Sequence, residues 1–256
     1  MREAIDSGCI VLSLQTDLSE VLESYRPVWY SQPVSKQALN RPQRPAASAS
    51  SRLSARERLL AAADELFYGG GINLVGIDRV IEHAGVAKAS LYDCFGSKEE
   101  LIRSYLQARN EIRQARIRDR LSRHTTPLDK ILSIFELQAE VVAQPNFRGC
   151  AFLRAGADAD EGGKIKQVCD QSRAFVRMQF TELAREAGVR GPEGLGEQLV
   201  LLYDGATVAA QADGNRKAPI TAQALARQLV TAASPRSRAR RSNKKRNDAR
   251  LGESSA

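Results

Sequence analysis

The chain has 256 residues, 43% of them apolar, which is enough for a substantial buried core. No run approaches the roughly 18 apolar residues that a membrane span needs, and the scattered Cys9, Cys94, Cys150 and Cys169, with His83 and His124 as the only histidines, argue against a zinc site and leave Ser–His or Cys–His catalysis unsupported. The net charge of +8 is mostly terminal, since residues 234–256 carry +6 and the rest only +2, so basicity alone does not mark a DNA-binding fold.

The first residues hold a short apolar patch behind Glu3 and Asp6 without a clear small-residue cleavage site, which is read as no signal peptide. A cytoplasmic setting with reduced thiols follows as the expectation. Residues 1–50 read as an extension. Residues 17–25 suit a short helix, and Pro27, Pro33, Pro42 and Pro45 among Ser, Gln and Ala predict a disordered linker. Trp29 either docks elsewhere or lies exposed in this arm, and a misassigned translation start would also account for the segment.

From Leu53 to about Ala233 the pattern is helical, with no convincing alternation of β-branched residues, so the fold class is all-α. Ser54 and Glu57 form a capping box that opens the first helix. Leu59, Ala62, Ala63, Leu66 and Phe67 recur at helical spacing, and Gly69, Gly70 and Gly71 are expected to stop it. Ile77, Val80, Ile81 and Ala84 mark a second, short helix ended by Gly85. A third begins around Ala87, turns Leu91 and Phe95 inward, and breaks at Gly96. Ser97 opens a second capping box, S-K-E-E, and a long helix to about Ser122.

Thr126 followed by Pro127 caps a helix to about Gln144. After the Gly162-Gly163 break a segment runs from Lys164 to Ala187. Pro192 starts another to about Ala212, and Pro219 the last, to about Ala233. The tail, 234–256, has the composition of a disordered polycation. It would either add salt-sensitive, sequence-independent DNA affinity or simply be solvated.

Two short helices joined at Gly85 match a helix-turn-helix, in which the second helix keeps few residues inward so that the rest can face a major groove. Through residues 55–102 the chain resembles the TetR/AcrR family of repressors. The resemblance is carried by Leu66-Phe67, Gly71, Ile77 to Val80, Ala84-Gly85-Val86, Lys88, Ser90-Leu91-Tyr92, Phe95 and Ser97 to Leu101. It implies phosphate contacts from Lys88, Tyr92 and Lys98, base-edge approach by Ala89 and Ser90, and further backbone contacts from Arg52, Arg56 and Arg79. Cys94 is counted with this DNA-facing set, at a position where the family usually has histidine or tyrosine. Gly76 stands where threonine or serine is usual, and Ala87 where serine is common, so a cap and its phosphate contact are missing.

The resemblance divides the chain into a DNA-binding domain over 51–100 and a helical ligand-binding and dimerisation domain over 101–233. Ala206, Ala209, Ala210, Ala222, Ala224 and Ala226, beside the stripe Leu195, Leu199, Leu202, Leu225 and Leu229, suit a two-fold four-helix bundle; they would equally serve an intramolecular core. Phe135, Phe147, Cys150, Phe152, Phe175 and Met178 are candidates to line a pocket, or else ordinary core.

The expected function is a ligand-responsive DNA-binding regulator, most simply a repressor, acting as a homodimer on a palindromic double-stranded operator and released by a small molecule. No cofactor, metal or membrane partner is expected. A nonspecific DNA-compacting protein is the competing binder. An enzyme is disfavoured, because no GxSxG, HExxH, P-loop or dinucleotide fingerprint occurs.

Overall fold

The computed structural model describes residues 53–234, and nine helices with no strand occupy them. The segment 17–25, the proline-rich arm with Trp29, Arg52 and the basic tail lie outside the described residues. The helices are α1 (Ala55–Gly70), α2 (Ile77–Ala84), α3 (Lys88–Phe95), α4 (Lys98–Ser122), α5 (Pro127–Val142), α6 (Ala151–Ala157), α7 (Lys164–Glu186), α8 (Pro192–Ala212) and α9 (Ala218–Ala233). Among them none is long and apolar enough to cross a membrane.

Side-chain caps set three of the starts, those of α1, α4 and α5. The Ser54 hydroxyl accepts from the Glu57 amide at 3.2 Å, and the Ser54 amide donates to the Glu57 carboxylate at 2.7 Å. That hydrogen bonding holds the Glu57 carboxyl below its ordinary range. At α4 only half of the expected box forms. The Ser97 hydroxyl accepts from the Glu100 amide at 3.1 Å, but the Glu100 carboxylate turns away to Lys164 at 2.5 Å and Arg103 at 2.7 Å. An ion pair to the start of α7 has replaced the reciprocal cap, tying α4 to α7.

The first helix runs further than expected, since Gly69 and Gly70 lie within α1 and Gly71 alone ends it, at φ 89°. Tertiary contacts hold that last turn. The Tyr68 hydroxyl donates to the Gly149 carbonyl at 3.1 Å and accepts from the Arg148 amide at 3.0 Å, while Arg154 donates to the Tyr68 carbonyl at 2.9 Å. Carbonyls that a helix end leaves open are thus paired, and helical glycine, which costs only about 0.5–1 kcal/mol relative to alanine, is tolerated.

Buried side chains fall into two clusters. One gathers Leu59, Phe67, Val80, Leu91 and Phe95 from α1 to α3, and it extends past residue 100 to Leu101, Tyr105 and Leu106 of α4, Phe152 of α6 and Val168 of α7. The other lies between α5, α7, α8 and α9 and the end of α4, with Phe135, Phe180 and Tyr203 meeting at centroid distances of 5.5–6.1 Å. Helices α4 and α7 contribute to both. At 25 residues, α4 is about 37 Å long and so reaches from one cluster to the other.

In α8 and α9 the intramolecular alternative holds for many of the small and leucine positions. Leu195, Leu199, Ala206, Ala210, Ala222 and Ala226 are all buried within the chain. Leu201, Val208, Ile220 and Leu225 are the large apolar side chains that these two helices leave exposed.

Candidate DNA-binding and ligand-binding sites

The turn between α2 and α3 is built on Gly85, at φ 61° and ψ 42°, a left-handed conformation that any β-carbon would strain. Val86 closes the end of α2 by donating to the Ile81 carbonyl at 3.3 Å. Arg58 of α1 donates to the Gly85 carbonyl at 3.0 Å. This arginine pins the turn to α1, and nothing in the local sequence pattern singled it out.

Helix α3 rests on fully buried Leu91 and on Phe95, with the Arg56 guanidinium 5.0 Å from the Phe95 ring centroid. Outward lie Lys88, Ala89 and Tyr92, with Ser90 partly exposed. Arg79 is exposed on α2, Arg56 is exposed near the start of α1, and Lys98 is partly exposed at the start of α4. Cys94 does not share this outward face: it is half-buried against the N-terminal cluster. Residues 91, 94 and 95 stand at i, i+3 and i+4 on one helical face, so Cys94 goes inward with its two anchors.

Lys88 is engaged in this state. Its ammonium lies 3.0 Å from the Asp78 carboxylate, on the first turn of α2, and both groups are exposed. The hydrogen bond and charge of Asp78 push the lysine pKa up. Bound phosphate would compete with Asp78 for this ammonium, and Asp78 would repel it. Asp78→Asn is therefore expected to tighten DNA binding by about two- to fivefold at low salt, an advantage that shrinks as salt screens the charges. A fluorescence-anisotropy titration at two salt concentrations checks this; weaker binding by the variant would show that Asp78 orders Lys88 rather than withholding it.

A cavity of about 140 Å³ opens between α1, α4, α5, α6 and α8, and its lining includes Phe147, Cys150 and Phe152 from the expected set. The other three lie elsewhere. Phe135 is fully buried against Phe180 and Tyr203, Phe175 is buried in the second cluster with Arg118 over its ring, and Met178 is half-exposed. Aromatic content could not separate wall from core, because which side of α5 meets the cavity depends on helix rotation, and α7 does not line it at all. The sequence reading also missed the polar wall: Tyr68, Arg109, Arg113, Arg116, Gln138 and Tyr203 all line it.

Arg109 joins the cavity to the helix-turn-helix. It donates to both carboxylate oxygens of Asp64 on α1, at 2.5 and 3.1 Å, and its guanidinium lies 3.9 Å from the Tyr68 ring centroid. Asp64 and Arg109 side chains are only 4% and 10% exposed. Nearby, burial pushes the Tyr105 phenol well above its ordinary value, so it stays neutral beside the ion pair. A signal for this pair was present in sequence: Asp64 stands at i+4 from Leu60 and three before Phe67, on the apolar face of α1, where an unpaired carboxylate would be costly.

The model of the family described as bacterial regulatory proteins, tetR family, matches residues 59–105. The chain is 33% identical over 134 residues to the HTH-type transcriptional activator FasR of Mycolicibacterium smegmatis, a match that takes in 52% of this chain and 61% of that protein's length. Among solved structures, SCO4454, a TetR-family transcriptional regulator from Streptomyces coelicolor, superposes with a TM-score of 0.68 at 29% identity, over 70% of this chain and 96% of that one. The structure of sav143 from Streptomyces avermitilis superposes with a TM-score of 0.64 at 31% identity, over 71% of this chain and 98% of that one.

Proposed function

The chain belongs to the TetR family of DNA-binding transcriptional regulators, and from that premise we propose that it is a homodimeric repressor released from its operator by a small molecule. The observation that carries this reading is Arg109, which lines the cavity and also grips Asp64 of α1. A ligand that moves this stretch of α4 moves the helix on which α2 and α3 are packed. If it prefers the arrangement with misplaced recognition helices, linkage requires that it weaken DNA binding, typically by about 5- to 150-fold.

Residues 51–100 then form the DNA-reading unit and 101–233 the effector and dimer unit. Ala89 and Ser90 approach base edges, while Arg56, Arg79, Lys88, Tyr92 and Lys98 contact phosphates, setting register and salt dependence rather than sequence preference. The dimer is supported by Leu201, Gly205, Val208 and Ala212, an exposed stripe at i, i+4, i+7 and i+11 on α8, and by exposed Ile220 and Leu225 on α9. Small residues in such a stripe let a second copy approach closely. Two-fold pairing would place the recognition helices on half-sites about 34–36 Å or a multiple apart.

The test is a titration of the intact chain at physiological salt against DNA from upstream of its own gene and a shuffled duplex of equal length. Preference for the upstream DNA by about 10³-fold or more is expected. The double variant Leu201→Glu/Val208→Glu is expected to sediment as a monomer and to lose that preference; a dimeric variant that still discriminates would move the interface elsewhere. Equal binding of both duplexes, extended over a wider set of genomic fragments, would favour the nonspecific DNA-compacting reading. The M. smegmatis relative is named an activator, which favours a second sign of regulation. Transcript levels after loss of the protein separate the two, rising for a repressor and falling for an activator.

A further inference from the structure

The cavity lining holds three arginines and one carboxylate, Asp204. Arg109, Arg113 and Arg116 enter it from successive turns of α4. Arg109 is matched by Asp64. Arg113 donates to the Ser172 hydroxyl at 3.0 Å and lies 5.5 Å and 5.7 Å from the ring centroids of Phe152 and Tyr203, with the Asp204 carboxylate close enough to favour its charge. Among the described residues no carboxylate is ion-paired with Arg113. Asp204, the acidic residue in the lining, pairs with Arg173 at 2.8 Å. An arginine does not discharge by losing its proton, so its positive field remains in the wall.

Gln138 faces the same space with an unmet acceptor. Its amide nitrogen donates to the Tyr203 carbonyl at 2.6 Å and to the Thr207 hydroxyl at 2.7 Å, which fixes the orientation of the amide because a carbonyl can only accept. The Gln138 Oε1 atom is buried and has no partner, although the residue is only 4% exposed. Between these polar groups the lining is apolar, from Ile117, Leu137, Val141, Val142 and Phe147.

We propose that the cavity binds an organic anion with an apolar body, its acidic head group held by Arg113 with Arg116 beside it and a hydroxyl or N–H group donating to Gln138 Oε1. This rests on reading the cavity as the effector site, and it names the chemical class of the effector. The guanidinium fork suits carboxylate, sulfonate or phosphate oxygens. A neutral ligand of the same shape would leave both Arg113 and its own former head-group position without a charged partner.

The test uses the intact protein and two fluorescent probes that share an anilinonaphthalene body and its N–H. One is 8-anilinonaphthalene-1-sulfonate; the other is N-phenyl-1-naphthylamine, which lacks the sulfonate. The wild type is expected to bind the sulfonate at least about tenfold more tightly than its neutral twin, the scale of one charge-assisted hydrogen bond. Arg113→Met should bring the two probes to within about twofold of each other, and Arg113→Lys should keep most of the preference. Both variants retain the basic tail, so adsorption of the anion there would leave the preference unchanged in Arg113→Met and overturn the proposal. Equal binding of the two probes by the wild type, or no binding of either, would overturn it too. Repeating the titrations on the DNA complex separates the two readings. Arg113-dependent anion binding that leaves DNA bound keeps the site and ends its effector role, whereas release of DNA by the neutral probe keeps the effector role and ends the anionic class.

Discussion

Asp64→Ala is expected to cost about 3–5 kcal/mol of folding stability, because it strands Arg109 in a poorly solvated wall with its matching carboxylate gone. The geometry that makes the pair favourable, two parallel N–H donations and a ring stacked at 3.9 Å, makes its loss severe. Asp64→Asn keeps the shape and one accepting oxygen, so its loss should be smaller. The double variant Asp64→Leu/Arg109→Met removes both charges and should recover much of the stability lost by Asp64→Ala, as replacement of buried pairs by apolar side chains often does. Urea denaturation at one fixed protein concentration measures all four proteins, since association shifts apparent stability. An Asp64→Ala protein within about 1 kcal/mol of wild type, the range of a solvent-exposed pair, would sink this account of the clamp. Recovered stability without recovered operator release would show that the ion pair transmits the ligand signal rather than merely holding the helices.

The second large effect is Leu91→Ala. Leu91 is fully buried, and on an eight-residue helix it is the central anchor of α3. Truncating it removes apolar contact and leaves a cavity, together worth about 2–5 kcal/mol. The damage should be local to the cluster of α1, α2 and α3. Amide hydrogen exchange of α3 should rise steeply while α8 and α9 stay protected, and operator binding should fall to the nonspecific level because the helix no longer holds one angle to the groove. Tyr92→Phe, next to it but nearly half-exposed, makes the contrast. It should leave stability within about 0.5 kcal/mol and weaken operator binding alone. If Leu91→Ala bound its operator normally, α3 would not be the reading helix.

What could be read directly from the chain was written in short-range chemistry. Ser54 and Thr126 mark helix starts through hydrogen bonds within one turn, Pro192 marks one through its fixed φ, and Gly85 marks a left-handed turn; the structure has α1, α5 and α8 beginning where those residues imply. The inward faces of α2 and α3 followed from residue spacing, apart from Cys94, whose own spacing from Leu91 already pointed inward. Helix α6 was missed: at seven residues it is too short to show a period, it has no side-chain cap, and it is held by Phe152 and Ala155 packing into the N-terminal cluster. The span of α1 was misjudged for a similar reason, since Gly69 and Gly70 remain helical under restraints supplied by Arg154 and by residues 148 and 149.

Sequence alone therefore determined the all-helical class, most element boundaries, the helix-turn-helix and the family to which the chain belongs, because those depend on residues within a few positions of one another. Tertiary structure decided which partner Glu100 takes, that Asp64 answers Arg109, that Phe135 and Phe175 fill the core while Phe147 and Phe152 line the cavity, and that Arg113 and Gln138 make its wall polar. Those outcomes turn on how each long helix is rotated about its axis and on which neighbour it meets across 45 to 69 residues of chain, and no local pattern encodes that.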